Sequence, residues 1–327
     1  MILAGDIGGT NARLAYFQSS NGHFHLVSER VFPSREHKEL GEIAVQFVQE
    51  SGTRPDVACF GIAGPVRHGR VETSNLPWVV EQSQLAKQLK VPATFLINDL
   101  EASAWGVGAL EESDLVPLNQ VTGKVVGNQA VIAPGTGLGE AGLFWDGTRH
   151  HVFACEGGHT DFAPRDDVQI ELLHFLQARF GHVSYERILS GPGLVNVYEF
   201  LRSSGGGSEP AELRHEIDAG DAAAAISRAA MNRTCGLAEK SLELWISVYG
   251  AEASNLALKV MATGGLFLAG GISPKILSRL QESLFMQNFL DKGRMRPLIE
   301  SIPVCVVTND KAGLLGAARC AAQNGKS

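Results

Sequence analysis

Along the first hundred residues, apolar and polar positions alternate with two different periods. Residues 2–4 are a short apolar run, and beyond Gly8-Gly9-Thr10 the positions Ala12, Leu14 and Tyr16 alternate with Arg13, Ala15 and Phe17. Period two predicts strands, so the chain opens as a hairpin around a glycine turn, and residues 24–32 extend it as a third strand. Between 39 and 50 the spacing changes: Leu40, Ile43, Ala44, Phe47 and Val48 fall on one helical face. Residues 57–63 read as a buried parallel-type strand ending at Gly-Ile-Ala-Gly-Pro (61–65). A short excursion through Val71 and Trp78 leads to a helix over 82–89. The strand 93–97 then runs directly into Asn98-Asp99-Leu100-Glu101. Three strands in meander followed by strand–helix alternation predict an α/β domain.

The second half starts the same way. Residues 129–133 form a strand, Pro-Gly-Thr-Gly-Leu-Gly (134–139) a glycine-rich turn, 141–145 the return strand and 150–154 the next. Helical spacing covers 168–180 and 193–201, and Ser-Ser-Gly-Gly-Gly-Ser (203–208) is a flexible surface loop. An Ala-rich apolar pattern then predicts one long helix over 221–249, continued through 252–261. Residues 265–272 form a buried strand with its own glycine turn, and Ser273-Pro274 suits a helix start. A strand over 302–307 and a helix over 311–322 close the chain. The glycine hairpins at 5–12 and 134–141, each followed by the same strand order, predict two similar α/β lobes with a ligand between them.

Composition narrows the classes of partner. The 327 residues are 44% hydrophobic and 19% charged with a net charge of −7, and no basic run stands out. Nucleic-acid binding, which depends on clustered Lys and Arg, is disfavoured. The apolar runs fall short of a membrane span, and a strand from residue 2 leaves no room for a leader. Five scattered cysteines (Cys59, Cys155, Cys235, Cys305 and Cys320) include no CxxC pair. That pattern suits reduced thiols in a cytoplasmic protein.

The chemistry concentrates at turns. Gly8 and Gly9 allow backbone angles that other residues avoid and let amides approach an anion, and Thr10 adds a hydroxyl. Asp6 offers a carboxylate at the strand end, where a hydrated cation could sit. An ordinary tight hairpin reads the same way, and on this stretch alone both readings stand. Two familiar phosphate motifs do not hold. Gly137, Gly139 and Gly142 match G-x-G-x-x-G, but residues 140–144 read as a strand where that motif needs a helix. The Gly-Lys-Ser tail at 325–327 resembles the end of a Walker A loop, yet Cys320 stands where the first glycine belongs.

Asn98-Asp99 ends a buried strand and opens a helix, where open α/β sheets bind ligands. Either residue could cap that helix, but one cap does not need both. Glu156-Gly-Gly-His159 sets a carboxylate and an imidazole on a glycine turn, which suits hydroxyl recognition better than a metal. Glu186 reads on its own as a surface charge paired with Arg187, and His150-His151 as strand residues.

Together these segments closely resemble one family. Gly-Asp-Ile-Gly-Gly-Thr-Asn-Ala-Arg (5–13), Ile-Asn-Asp-Leu-Glu (97–101), Ala-Pro-Gly-Thr-Gly-Leu-Gly (133–139), Glu-Gly-Gly-His-Thr-Asp-Phe (156–162), Tyr-Glu-Arg-Ile-Leu-Ser-Gly-Pro-Gly (185–193) and Leu-Ala-Gly-Gly-Ile (268–272) resemble the bacterial ATP-dependent glucokinases. These belong to the sugar kinase, actin and heat-shock chaperone superfamily. The resemblance implies two ribonuclease-H-like lobes, the smaller from residues 1–110 plus 301–327 and the larger from 111–300. It implies transfer of the γ-phosphoryl group of ATP to the 6-hydroxyl of D-glucose, the first step of glycolysis, in a cytoplasmic homodimer.

Carried over by residue, Asp99 would take the proton of the 6-hydroxyl. Asn98, Glu156, His159 and Glu186 would hold the other hydroxyls. Gly5, Asp6, Ile7, Gly8, Gly9, Thr10, Thr136 and Gly137 would hold the phosphates, with Gly270 and Gly271 beside the adenosine. Asp6 would hold Mg²⁺ through water. Related repressor–kinases carry a cysteine zinc site after the Gly-His dipeptide; Thr160-Asp161-Phe162 follows here, so no zinc is expected. A kinase for another hexose and a sugar-sensing regulator without turnover are the rival readings.

Overall fold

The computed structural model describes residues 1–20, 22–73, 76–123, 125–205 and 207–325. Lys326 and Ser327 of the Walker-like tail, and Gly206 of the Ser/Gly loop, lie outside the described residues. The chain divides into two compact units. Unit 1 comprises Met1–Leu115, Val152–Ala154 and Asn309–Ser327, and unit 2 comprises Val116–His151 and Cys155–Thr308.

Unit 1 is built on β1 (Ile2–Ile7), β2 (Asn11–Ser20), β3 (His23–Pro33), α1 (Leu40–Ser51) and β4 (Val57–Ile62). The ribbon β5 (Arg70–Glu72) and β6 (Val79–Glu81) precedes α2 (Gln82–Leu89), β7 (Thr94–Asn98) and α3 (Asp99–Val107). The five-stranded sheet has the order β3-β2-β1-β4-β7. β1 pairs antiparallel with β2 but parallel with β4, which is parallel to β7. Period-two alternation sends side chains to opposite faces. Leu3, Leu14, Tyr16 and Phe60 pack with α1 and α2, whereas Ile2, Ala4, Ala15 and Cys59 pack under the C-terminal helix Ala312–Asn324. That helix supplies Leu314, Ala317, Ala318 and Ala321 to the second core.

Unit 2 repeats the plan. It runs β8 (Leu115–Pro117), β9 (Gln129–Pro134), β10 (Leu138–Trp145), β11 (His150–Cys155), α4 (Asp167–Phe180), α5 (Gly191–Ser203), α6 (Ala211–Ala219), α7 (Ala222–Met231) and α8 (Gly236–Val260). It ends with β12 (Gly265–Leu268), α9 (Leu277–Leu280), α10 (Ser283–Leu290), α11 (Arg296–Glu300) and β13 (Val304–Val307). The sheet order is β11-β10-β9-β12-β13-β8, so its first five strands repeat the connectivity of unit 1. The internal echo in the sequence is thus an echo of topology. β13 pairs with β12, so the chain returns to unit 1 only at Asn309, not at residue 301.

Three expectations change. The long helix over 221–249 is broken between Met231 and Gly236, where Arg233 takes a left-handed φ of 55°. The apolar spacing runs through the break because α7 and α8 bury their faces in the same core. α6 was not anticipated, since only Leu213 and Ile217 mark its buried side. The return strand begins at Leu138 rather than 141, and its strand conformation bears out the rejection of the G-x-G-x-x-G match.

Candidate functional site

In unit 1 the chemistry gathers at the C-terminal ends of β1, β4 and β7. Asn98 settles the capping question. Its Oδ1 accepts the N–H groups of Leu100 (2.8 Å) and Glu101 (3.4 Å), and its Nδ2 donates to the Gly64 carbonyl at 3.0 Å. Asp99 is therefore the first residue of α3, and its carboxylate accepts the Leu100 N–H at 3.0 Å. Gly61 lets α3 approach the sheet: a Cβ there would lie 2.7 Å from Ala102 Cβ and 3.8 Å from Asp99 Cα.

Asp6 stands in register between Arg13 on β2 and Gly61 on β4. Burial pushes its carboxyl up to about 6, Asp99 and Asp310 add to the rise, and Arg13 opposes it. Arg13 Nη1 also donates to Asp310 Oδ2 at 3.2 Å. Gly313, in the first turn of the C-terminal helix, lies against the same carboxylate, a Cβ there standing 3.6 Å from Asp6 Cγ.

The hairpin turn is pinned by Ser34, which is fully buried. Its N–H donates to the Thr10 carbonyl and its hydroxyl to the Gly8 carbonyl, both at 2.9 Å. Gly8 N–H closes the turn on the Asn11 carbonyl at 2.9 Å. The expected unusual backbone angle is absent at Gly8, whose φ is not left-handed. A Cβ there would instead crowd the Asn11 carbonyl at 3.3 Å, so the glycine serves close approach. Gly5 and Ile7 are buried in β1, with Gly5 making room for Phe60 and Leu14, while Gly9 is half-buried and Thr10 exposed.

In unit 2, Glu186 does not pair with Arg187, whose guanidinium lies over the Phe180 ring at 4.3 Å. Its Oε2 accepts the Leu138 N–H at 2.9 Å, just after the Gly135-Thr136-Gly137 turn. A Cβ on Gly137 would overlap that carboxylate. His159 Nδ1 is 3.8 Å from Glu186 Oε1, and its Nε2 is 3.9 Å from Glu156 Oε2. Glu156, His159 and Glu186 therefore form one exposed to half-buried cluster beside a glycine turn. Gly158 seats that turn, because a Cβ would overlap the Leu138 carbonyl. Thr136 is exposed. Gly270 has a φ of +78° and packs on the Pro134 carbonyl, whereas Gly271 faces open space.

Sequence reasoning missed Ser34, Ser190 and Glu140. Ser190 donates to the Glu186 carbonyl at 2.7 Å and accepts the Gly193 N–H at 3.0 Å, tying α5 to the Glu186 turn. Glu140 is a buried carboxyl in an otherwise apolar stretch of β10, a contrast visible in the sequence.

Among the described residues, no group of three or more His, Cys, Asp or Glu gathers closely enough to hold a metal unaided. Mg²⁺ accompanying a nucleotide needs only one or two carboxylates plus phosphate oxygens and waters. Asp6, with Asp99 and Asp310 in its field and one guanidinium opposing them, fits that requirement.

Two sheets of the same strand order, each opening on a glycine hairpin, define the actin-type ATPase fold that sugar kinases use. The family model described as Glucokinase matches residues 3–324. The chain belongs to the glucokinase family. It is 40% identical over 338 residues to the glucokinase of Nostoc punctiforme, covering 99% of each chain. A solved glucokinase from an Antarctic psychrotroph superposes with a TM-score of 0.86 at 33% identity, over 98% of both chains. The glucokinase of Balamuthia mandrillaris, solved in complex with glucose, gives 0.81 at 25% identity, over 98% of this chain and 93% of that one.

Proposed function

We propose that this chain transfers the γ-phosphoryl group of ATP to the 6-hydroxyl of D-glucose, the opening reaction of glycolysis. One observation carries the reading beyond family membership. The Asn98 amide caps α3, and beside it the Asp99 carboxylate opens the same helix at the C-terminal end of β7, where open α/β sheets bind their ligands. Asp99 is assigned the proton of the attacking 6-hydroxyl. Asn98, Glu156, His159 and Glu186 are assigned the remaining sugar hydroxyls, for which carboxylates and imidazole are suited acceptors and donors.

Phosphoryl transfer has a loose transition state, so orientation and charge stabilisation supply most of the acceleration. The turns at Gly8-Gly9-Thr10 and Thr136-Gly137 are assigned the phosphates and Gly270-Gly271 the adenosine. Gly5 and Ile7 hold the strand that presents Asp6. Asp6 would hold Mg²⁺ through water, and the ion when bound supplies neutralising charge at the phosphates. Work in the cytoplasm as a homodimer completes the reading. Five free thiols are compatible with a reducing compartment, and light scattering tests the dimer.

A coupled assay with Mg-ATP over a panel of hexoses tests the reaction. Glucose phosphorylation is expected, and its absence would overturn the proposal. In the same assay Asp99→Ala is expected to lower kcat by ~10²–10⁴-fold with an unchanged circular dichroism spectrum, the usual loss for a general base. Near-normal turnover would remove Asp99 from the role.

A further inference from the structure

Beneath the Glu156–His159–Glu186 cluster of unit 2 lies a buried pair of acids that no binding role employs. Glu140 on β10 is 1% exposed and Glu252 on α8 is 0% exposed. Their carboxyls meet within hydrogen-bonding reach. Among the described residues, Glu140 Oε1 receives no donor. Glu252 Oε1 accepts from Lys259 Nζ at 3.3 Å and its Oε2 from Asn255 Nδ2 at 2.8 Å. One ammonium thus faces two buried carboxyls. Two negative charges at this depth against one ammonium would be costly, whereas one proton held between the acids leaves a single charge for Lys259 to balance.

The pair touches both loops that carry the cluster. Glu140 Oε2 lies where a Cβ on Gly157 would be, so it sits directly under the residue between Glu156 and Gly158. The Glu140 carbonyl accepts the Cys155 thiol at 3.3 Å, on the other side of Glu156. On the second loop, Asn255 Nδ2 also donates to Tyr185 Oη at 3.1 Å, and Tyr185 immediately precedes Glu186. Glu140 and Glu252 therefore bridge the Cys155–His159 turn to the Tyr185–Glu186 turn.

We propose that the singly protonated Glu140–Glu252 pair is a positioning device. It holds Glu156, His159 and Glu186 in mutual register, and loss of the shared proton loosens both turns and weakens sugar binding. The binding part of this inference rests on the function proposed above. The groups facing the pair are Lys259, Tyr249 and Asn255 on α8, Tyr185 on the second loop, and Cys155 on the first, with Glu156 in the field of Cys155. Lys292, after α10, lies in the field of Glu252. Tyr185, Tyr249 and Cys155 are all pushed upward by burial, so they stay neutral while the pair titrates. Burial, reinforced by Glu252, holds the Glu140 proton up to about 8. The device is therefore intact below that value and lost above it.

The test is glucose affinity by titration calorimetry from pH 6 to 9.5, on the full chain and on Glu140→Gln, which keeps a neutral hydrogen-bonding side chain. For the wild type, Kd is expected to be flat below about pH 8 and to rise by up to ~10-fold per pH unit above it, as linkage to one proton requires. Glu140→Gln is expected to keep the neutral-pH Kd and lose the rise. Glu252→Gln is the second variant, should the first fail to fold.

Hydrogen exchange of residues 155–160 and 184–188 without substrate, corrected for intrinsic rates, is the independent readout. It should accelerate above about pH 8 in the wild type alone. A wild-type Kd or exchange profile that stays flat, or a variant that keeps the alkaline rise, overturns the proposal. Intact exchange behaviour in a chain that binds no glucose would instead sink the proposed function and leave the positioning role standing.

Discussion

At the residue scale, the glycines beside the cluster act chiefly by leaving space. Gly137 has no left-handed backbone angle, yet a methyl group there would overlap the Glu186 carboxylate that holds the Leu138 N–H. Gly137→Ala should therefore displace Glu186 without unfolding unit 2. Because misplacement by about 1 Å can cost ~10²-fold, kcat/KM for glucose is expected to fall by roughly that factor. Steady-state kinetics beside a denaturation curve checks it, and an unchanged kcat/KM would mean that Glu186 does not need this contact. The placement of Asn98 and Asp99 at a strand end, and of Glu156 and His159 on a glycine turn, was legible because local pattern marks each position. The partner of Glu186 was not legible: it lies 48 residues away in sequence, and only the fold brings the two together. Glu140 was visible as an acid in an apolar strand, but its partner on α8 was not.

At the element scale, the geometry of Asp99 depends on how closely α3 meets the C-terminal helix. A Cβ on Gly316 would overlap the Ala102 carbonyl, and one on Gly106 would overlap the Ala312 carbonyl, so the helices cross with backbone against backbone. Gly316→Ala should force them apart. Overpacking of this kind costs ~1–3 kcal/mol, to be read as a lower urea midpoint. Since Asp99 begins α3, kcat should fall with it while glucose affinity changes less. Equal stability would show that the crossing relaxes freely. Apart from the three-residue β8, which is too short to show a period, the strands of both sheets and most of the helices were readable from periodicity. The break between α7 and α8 was not, since it hangs on one left-handed residue, Arg233, whose side chain does not advertise that conformation. Mostly polar α6 was lost for the opposite reason: it has too little apolar face to register a period.

At the scale of the whole molecule, unit 1 is completed only by the last stretch of chain. Its second core consists of Ile2, Ala4, Ala15, Phe17, Val57, Cys59, Ile97 and Ala102 facing Leu314, Ala317, Ala318, Cys320 and Ala321. Lys311 and Asp310 add ion pairs to Glu29 and Arg13 at the helix start. Burial is worth ~1.5–3 kcal/mol for a leucine side chain and about 0.8 kcal/mol per methylene-sized group, and both sides of the contact are exposed when the helix is removed. The sum is comparable with the total stability of a domain, about 5–15 kcal/mol. Deleting residues 309–327 should therefore unfold unit 1 at room temperature. Unit 2 has its own core around α8 and all the strands from β9 to β13, apart from the short 152–154 stretch, and should keep a cooperative transition. Calorimetry of the truncated chain is expected to show one transition of reduced enthalpy, with proteolysis confined to the first 115 residues. Supplying the missing helix as a peptide should restore protection. A truncated chain whose first 115 residues stay protected would show that β1 to β7 with α1 to α3 fold without the helix, and the second core would then be a covering layer rather than the foundation of the unit.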